Sequence, residues 1–196
     1  MIYNAYNFVW SFGGVEGAKK AVAYFREEVK KAGFPDVHLQ VVAYNDNLHM
    51  IGYIDGKVNY YKDVGFDSVT QYQMMGYLGK TDDFMDYAVM VEATAKEYEE
   101  MDKRDYVCYF PHVSLGWDNN IRYKEFTRPV VENATPEKVE KALRRAKEFV
   151  DTHDLPVPLV TINSWNEWTE TSYLQPDTLY GYGYLEAVKK VFLDQE

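Results

Sequence analysis

The chain has 196 residues with 46% hydrophobic and 27% charged content, a balance that excludes wholesale disorder and fits one folded domain, residues 1–196. Its net charge of −10 argues against nucleic acid or an anionic membrane surface as the main partner and suits a neutral ligand. Aromatic content reaches 16%, mostly tyrosine, which offers flat faces with a polar tip, although core packing draws on the same residues.

Ile2 to Val9 is β-rich and predicts an opening strand. A helix follows over Val15 to Ala32, with Ala18, Ala21, Val22, Phe25, Val29 and Ala32 on one face, ended by Gly33 and Pro35. Val37 to Tyr44 reads as the second strand, leading into an irregular stretch at Asn45, Asp46 and Asn47. The Asp55-Gly56 turn signal predicts a small hairpin within Ile51 to Tyr61. Ser68 to Tyr72 is the third strand.

A long helix is expected from Asp82 to Met101, with Phe84, Ala88, Val91, Ala95 and Tyr98 as its stripe and Asp82, Asp83 and Asp86 as charges of its first turn. Tyr106 to Val113 is the fourth strand and holds Cys108, the single cysteine, read as a buried and inert thiol. Thr135 as N-cap and Pro136 at the first helical position open the next helix, carrying Val139, Ala142, Leu143, Ala146, Phe149 and Val150. Leu159 to Trp165 is the fifth strand, and Tyr184 to Leu193 a closing helix.

Strands alternating with helices imply a parallel sheet, either doubly wound or a TIM barrel. No glycine-rich nucleotide fingerprint follows any strand; Gly13-Gly14 is too little to be one. The strand ends are polar or aromatic, at Asn7 and Trp10, Asn45 and Asp46, Gln71 and Gln73, Trp117 and Asp118, and Trp165 to Glu167. In a barrel those ends carry the chemistry.

The densest chemistry lies in Ile162 to Asp177, INSWNEWTETSYLQPD. Carboxylates between aromatic walls suit the holding and cleavage of a sugar. Glu167 and Glu170 are three apart, so a tight turn brings both carboxyls to one locus, as retaining hydrolysis requires. The competing reading makes Glu167 a helix cap or the partner of an arginine. Asp118 beside Trp117 suits sugar hydroxyls, or else opens an Asx-turn. Asp67 precedes its strand and reads as structural. His38, His49, His112 and His153 show no metal-ligand spacing, and His112 reads as a satisfied core or loop histidine. No cofactor and no metal are expected.

The run Asn163 to Glu170, followed by Tyr173-Leu174-Gln175-Pro176-Asp177, resembles the terminal signature of the glycoside hydrolase family 99-like proteins, and most of all their bacterial WbsX-type branch. Gly65-Phe66-Asp67-Ser68 and Gly116-Trp117-Asp118-Asn119-Asn120-Ile121-Arg122 agree in order and spacing. The resemblance implies a (β/α)8 TIM-barrel type, of which five strands would make this chain the last five βα units. It implies Glu167 as the base on the sugar's own 2-hydroxyl and Glu170 as the general acid. It also implies Trp117, Asp118, Arg122, Trp165, Asn166, Trp168 and Tyr173 as substrate-binding residues. Environment between Trp165 and Trp168 is expected to raise the pKa of one carboxyl. The sequence departs from the pattern at Thr171, where the family usually has Gly, at Gln175, where Glu is common, and at Asn120-Ile121, where Thr-Pro precedes the Arg.

The leading reading is therefore a hydrolase cleaving α-linked glycans with retention. A glycosyltransferase of bacterial surface-polysaccharide (O-antigen) synthesis is the alternative, and an inactive or glycan-binding barrel fragment is the third. A nucleotide-sugar transferase needs a diphosphate site, and no Arg/Lys cluster marks one. An N-terminal fragment or self-association is expected to cover the exposed sheet edges. No segment reads as a membrane span. The amino terminus lacks a basic leader, which leans the expectation to the cytoplasm while leaving the compartment open.

Overall fold

The computed structural model describes residues 1–2, 5–43, 60–72, 83–103, 107–126 and 129–194. They form two compact units, one of Met1–Gln71 with Asp102–Phe110, the other of Tyr72–Met101 with Pro111–Glu196.

In the first unit, helices α1 (Ala5–Ser11), α2 (Val15–Lys31) and α3 (Tyr60–Val64) accompany a parallel three-stranded sheet. Its strands are β1 (Gln40–Val42), β2 (Ser68–Thr70) and β4 (Cys108–Tyr109), in the order β1-β2-β4. Val41 pairs with Val69 and Val69 with Tyr109 in register, and all three are buried. The expected opening strand is a correction: among its described residues Ile2 bridges to Val41, and Ala5–Ser11 is helical. The reason is packing. Ala5 and Val9, four apart, are buried on one helical face, while the Phe8 ring meets Phe12 at 4.9 Å and Phe66 at 5.7 Å. Asn7 and Trp10 consequently sit on a helix and not at a strand end.

Arg26 of α2 ties this unit together. It donates to Asp36 Oδ1 at 2.9 Å, the Val37 carbonyl at 2.6 Å, the Gly65 carbonyl at 3.0 Å and Asp67 Oδ2 at 2.5 Å. Asp67 also accepts the Leu39 amide at 2.6 Å, so its role is structural, as the sequence implied. Gln71, expected at a strand end, is buried and accepts the Tyr109 hydroxyl at 2.9 Å. Cys108 is half-buried, and burial raises its thiol pKa.

In the second unit, β3 (Phe84–Asp86) pairs in parallel with β6 (Val130–Glu132), and β5 (His112–Ser114) with β7 (Thr161–Asn163). The antiparallel hairpin β8 (Asn166–Glu167) with β9 (Ser172–Tyr173) follows β7 directly. Helices α4 (Tyr87–Asp102), α5 (Pro136–Thr152) and α6 (Gly183–Phe192) complete it. The six apolar residues assigned to α5 are all buried, and Thr135 holds the N-cap position without a side-chain capping bond.

The helix expected from Asp82 begins only at Tyr87, because Phe84–Asp86 is a strand. Its buried face is also rotated. Met90, Val91, Thr94, Glu97, Tyr98 and Met101 point inward, while Ala88 is exposed. Tyrosine hydroxyls set that face, since Tyr87 donates to the Ser114 carbonyl and Tyr98 to the His112 carbonyl, each at 2.5 Å. Val91 and Tyr98 belong to both the expected and the observed face, and the two hydroxyl contacts to β5 turn the rest of it.

The fourth strand is interrupted at Phe110-Pro111, which divides it into β4 and β5. Among the described residues the strands form separate small sets and no closed barrel. The hairpin expected over Ile51 to Tyr61 lies outside the described residues up to position 59, and Tyr60 and Tyr61 begin α3. Asn45, Asp46 and Gln73 also lie outside them. No helix among the described residues is long and apolar enough to cross a membrane.

Candidate functional site

The second unit gathers the carboxylates. β7 ends at Asn163, and the Asn163–Ser164 peptide bond is cis. The chain then enters β8, where Glu167 closes the strand, and a 3-10 turn over Trp168–Glu170 reverses it into β9. Thr171 completes the reversal in the left-handed conformation, with φ 54° and ψ 36°. A residue without Cβ adopts that conformation at lower cost, which is a physical reason for glycine there in the resembling family.

The loop after β5 meets this turn. The Asp118 amide donates to the Glu170 carbonyl at 2.9 Å, and Thr171 Oγ1 donates to the Asp118 carbonyl at 3.2 Å. Gly116 makes the approach possible: a Cβ there would lie 2.7 Å from the Thr171 carbonyl oxygen. A short 3-10 turn over Asn120–Arg122 then delivers Arg122 to the carboxylates.

Arg122 links the two glutamates. Its Nη2 donates to Glu167 Oε1 and its Nη1 to Glu170 Oε1, both at 2.8 Å, while Nε donates to Thr169 Oγ1 at 2.8 Å. Thr169 in turn donates to Glu167 Oε1 at 2.6 Å, and the Tyr72 hydroxyl donates to Glu170 Oε2 at 2.7 Å. The two carboxylates differ in exposure: the Glu167 side chain is 37% exposed and that of Glu170 6%.

Thr169's hydroxyl, followed by the charge and hydrogen bond of Arg122, holds the Glu167 carboxyl below its ordinary range. This corrects the expectation for the carboxyl flanked by Trp165 and Trp168. Desolvation does push the Glu167 carboxyl up, but the hydroxyl and the guanidinium together outweigh it and decide the direction. Partial burial opposes the charge on Arg122, but Glu170 and Glu167 raise its pKa above the ordinary value.

The aromatic residues divide into two kinds. Trp165 is open to solvent, as is Asn166 beside it in β8. Trp168 stacks on Tyr173, with centroids 3.9 Å apart and planes at 26°, and its Nε1 donates to Gln175 Oε1 at 2.9 Å. Burial first, then the neighbouring Asp177, pushes the Tyr173 phenol up to about 12. Trp117 is half-buried and bridges to Val131. Asp118 Oδ1 accepts the Asn120 amide at 2.9 Å and its Nδ2 at 2.7 Å, which is the Asx-turn the sequence offered as one of two readings.

The structure thus brings Trp117, Asp118, Arg122 and the Trp165-to-Tyr173 segment into one unit. It also adds two groups that sequence reasoning missed. Thr169 stands between the two glutamates, where a hydroxyl two residues after a carboxylate was the available signal. Tyr72 lies two residues beyond β2, and nothing in the sequence separates it from its tyrosine-rich surroundings. His112 is buried, with Nδ1 2.9 Å from Thr161 Oγ1. Among the described residues no group of three or more His, Cys, Asp or Glu side chains is arranged to hold a metal ion.

Chemically, the arrangement offers a partly exposed ionised carboxylate and a buried, doubly hydrogen-bonded one, bridged by one guanidinium, with the exposed indole of Trp165 in the same hairpin. A family model described as "Glycosyltransferase WbsX" matches residues 5–188. An uncharacterised protein, WxcX, from two strains of Xanthomonas campestris pv. campestris is 30% identical over 143 residues, covering 66% of this chain and 20% of the relative. The chain therefore spans a fifth of the length of these curated relatives.

Among solved structures, a glycoside hydrolase-like protein aligns with a TM-score of 0.59 at 12% identity, over 89% of this chain and 49% of that one, a likeness of fold. A GH99 endo-alpha-mannosidase from Bacteroides thetaiotaomicron, in complex with BIS-TRIS-Propane, aligns with a TM-score of 0.48 at 13% identity, over 91% and 64%. With the matched stretch running from α1 into α6 and containing every residue of the carboxylate site, the chain belongs to the WbsX family.

Proposed function

We propose that this chain carries the reacting carboxylates of a carbohydrate-active enzyme that cleaves α-linked glycans with retention. The observation that supports it is the convergence of Glu167 and Glu170 on the single guanidinium of Arg122, in a segment that also carries the exposed Trp165 and the Tyr173-stacked Trp168. In this reading the parallel strands are part of a (β/α)8 barrel whose carboxyl-end loops present the site.

Glu167, held ionised, takes the proton of the sugar's 2-hydroxyl as that oxygen attacks C1. Glu170 gives its proton to the glycosidic oxygen as the C1–O bond breaks, and the bonding pair stays on the departing alcohol. Water then adds to C1, Glu170 recovers a proton from it, and Glu167 returns its proton to O2. Two inversions at C1 leave the configuration retained. An alcohol in place of water makes the same sequence a glycosyl transfer, the reading that the family's description favours.

The test is hydrolysis of α-mannans and bacterial O-antigen glycans by the parent and by Glu167→Gln, read as released reducing ends. The variant is expected to lose roughly 10²–10⁴-fold in turnover, the usual worth of a general base, while glycan binding persists. Activity within a few-fold of the parent overturns the assignment. Transfer from a nucleotide-sugar donor without hydrolysis favours the transferase reading instead.

A further inference from the structure

Among the described residues two hydroxyls serve the carboxylate pair, one each. Thr169 donates to Glu167 Oε1 at 2.6 Å and Tyr72 to Glu170 Oε2 at 2.7 Å. Arg122 touches both glutamates at the same 2.8 Å and so cannot distinguish them. What distinguishes them is the hydroxyl each receives and the depth at which each lies, Glu170 being the buried one with 6% of its side chain exposed.

A buried carboxylate needs donors on both oxygens, because an oxygen left without one forfeits the water it would otherwise hold. Glu170 Oε1 has the guanidinium of Arg122, and Oε2 has the Tyr72 phenol. The two donors approach different oxygens, so together they fix the rotation of the carboxyl plane as well as its position.

We propose that Tyr72 is a positioning residue for the acid step, holding Glu170 and stabilising the carboxylate left when its proton departs. This rests on the acid role given to Glu170 above. As the C1–O bond breaks, the proton passes from the Glu170 carboxyl to the glycosidic oxygen and the bonding pair remains on that oxygen. The negative charge that appears on Glu170 is met at Oε2 by the Tyr72 O–H and at Oε1 by the Arg122 N–H. Tyr72 itself neither gains nor loses a proton. Its hydrogen bond strengthens as the acceptor becomes charged, so its effect falls on the transition state and not on ground-state binding.

The leaving group provides the test. A glycoside must have its departing oxygen protonated, whereas a glycosyl fluoride of the same sugar expels fluoride without an acid. Parent, Tyr72→Phe, Glu170→Gln and Glu167→Gln are assayed on the glycan the parent hydrolyses and on the matching α-glycosyl fluoride. Tyr72→Phe is expected to lower the glycoside-to-fluoride ratio of kcat by roughly ten- to hundredfold, the worth of one hydrogen bond to a charged group. KM for the glycan should stay within about threefold of the parent.

An unchanged ratio overturns the inference, whether the variant keeps both activities or loses both alike, as a merely structural role would make it do. The underlying reading fails separately. If Glu170→Gln slows single-turnover release of the leaving alcohol and of fluoride equally, Glu170 is not the acid, and if Glu167→Gln leaves both intact, the carboxylate pair is not the catalytic centre.

Discussion

Gly116 and Thr171 stand on opposite sides of the contact that orients Glu170. Gly116 has φ 157°, and a Cβ there would meet the Thr171 carbonyl oxygen at 2.7 Å, a backbone atom that cannot swing away. Thr171 meanwhile carries a β-branched side chain at φ 54°, a conformation that costs an L-residue about 1–2 kcal/mol, offset in part by its hydroxyl bond to the Asp118 carbonyl. Gly116→Ala is therefore expected to destabilise the chain by about 1–3 kcal/mol. Urea unfolding measures it, and an unchanged midpoint would mean that the loop and the turn separate freely.

At the scale of elements, Asp86 holds four pieces together. It ends β3, accepts the Ala88 amide of α4 at 2.8 Å, takes Lys138 Nζ of α5 at 2.7 and 2.8 Å, and takes Asn133 Nδ2 after β6 at 2.9 Å. Lys138 first, then the Ala88 amide and Asn133, hold its pKa down to about 2. The unfolded chain binds that proton near pH 4 and the folded chain only near 2, so the stabilisation is present above about pH 4 and is lost as pH falls towards 2. Because the side chain is 38% exposed, solvent screening reduces the contribution to about 1 kcal/mol. Asp86→Asn should lose that amount at pH 6 and match the parent below pH 2, as read from denaturant midpoints across pH. An offset that persists undiminished at pH 2 would place the effect in geometry and not in charge.

For the molecule as a whole, the buried ring of His112 adds to the acid lability that Asp86 contributes. His112 lies in β5 with Nδ1 2.9 Å from Thr161 of β7, and burial pushes its pKa down to about 3. The unfolded chain protonates this histidine near 6.5 while the folded chain keeps it neutral. Unfolding is therefore favoured by about 1.4 kcal/mol for each pH unit below 6.5, until the folded pKa is reached. Chemical denaturation between pH 7 and 4 should show that slope in the parent and a shallower one in His112→Gln. Equal slopes would assign the acid lability to the carboxylates instead.

The sequence by itself determined what depends on local pattern. The α5 stripe from Val139 to Val150 was readable because an apolar face at helical spacing and a Pro at the first position need no tertiary context. The motif from Asn163 to Asp177 and the Arg122 segment were readable because carboxylates, indoles and an arginine in that order have few packing uses. Tertiary structure decided what depends on partners distant in the chain. Ala5–Ser11 became helix because Phe8 found Phe66, against the strand preference of its residues. α4 turned Met90, Thr94, Glu97 and Met101 inward with Val91 and Tyr98, because the hydroxyls of Tyr87 and Tyr98 found the carbonyls of β5. The pairing of Tyr72 with Glu170, 98 residues apart, has no local trace at all. The carboxylates' identities were written in the sequence, whereas the environment that separates one from the other forms only when the chain is folded.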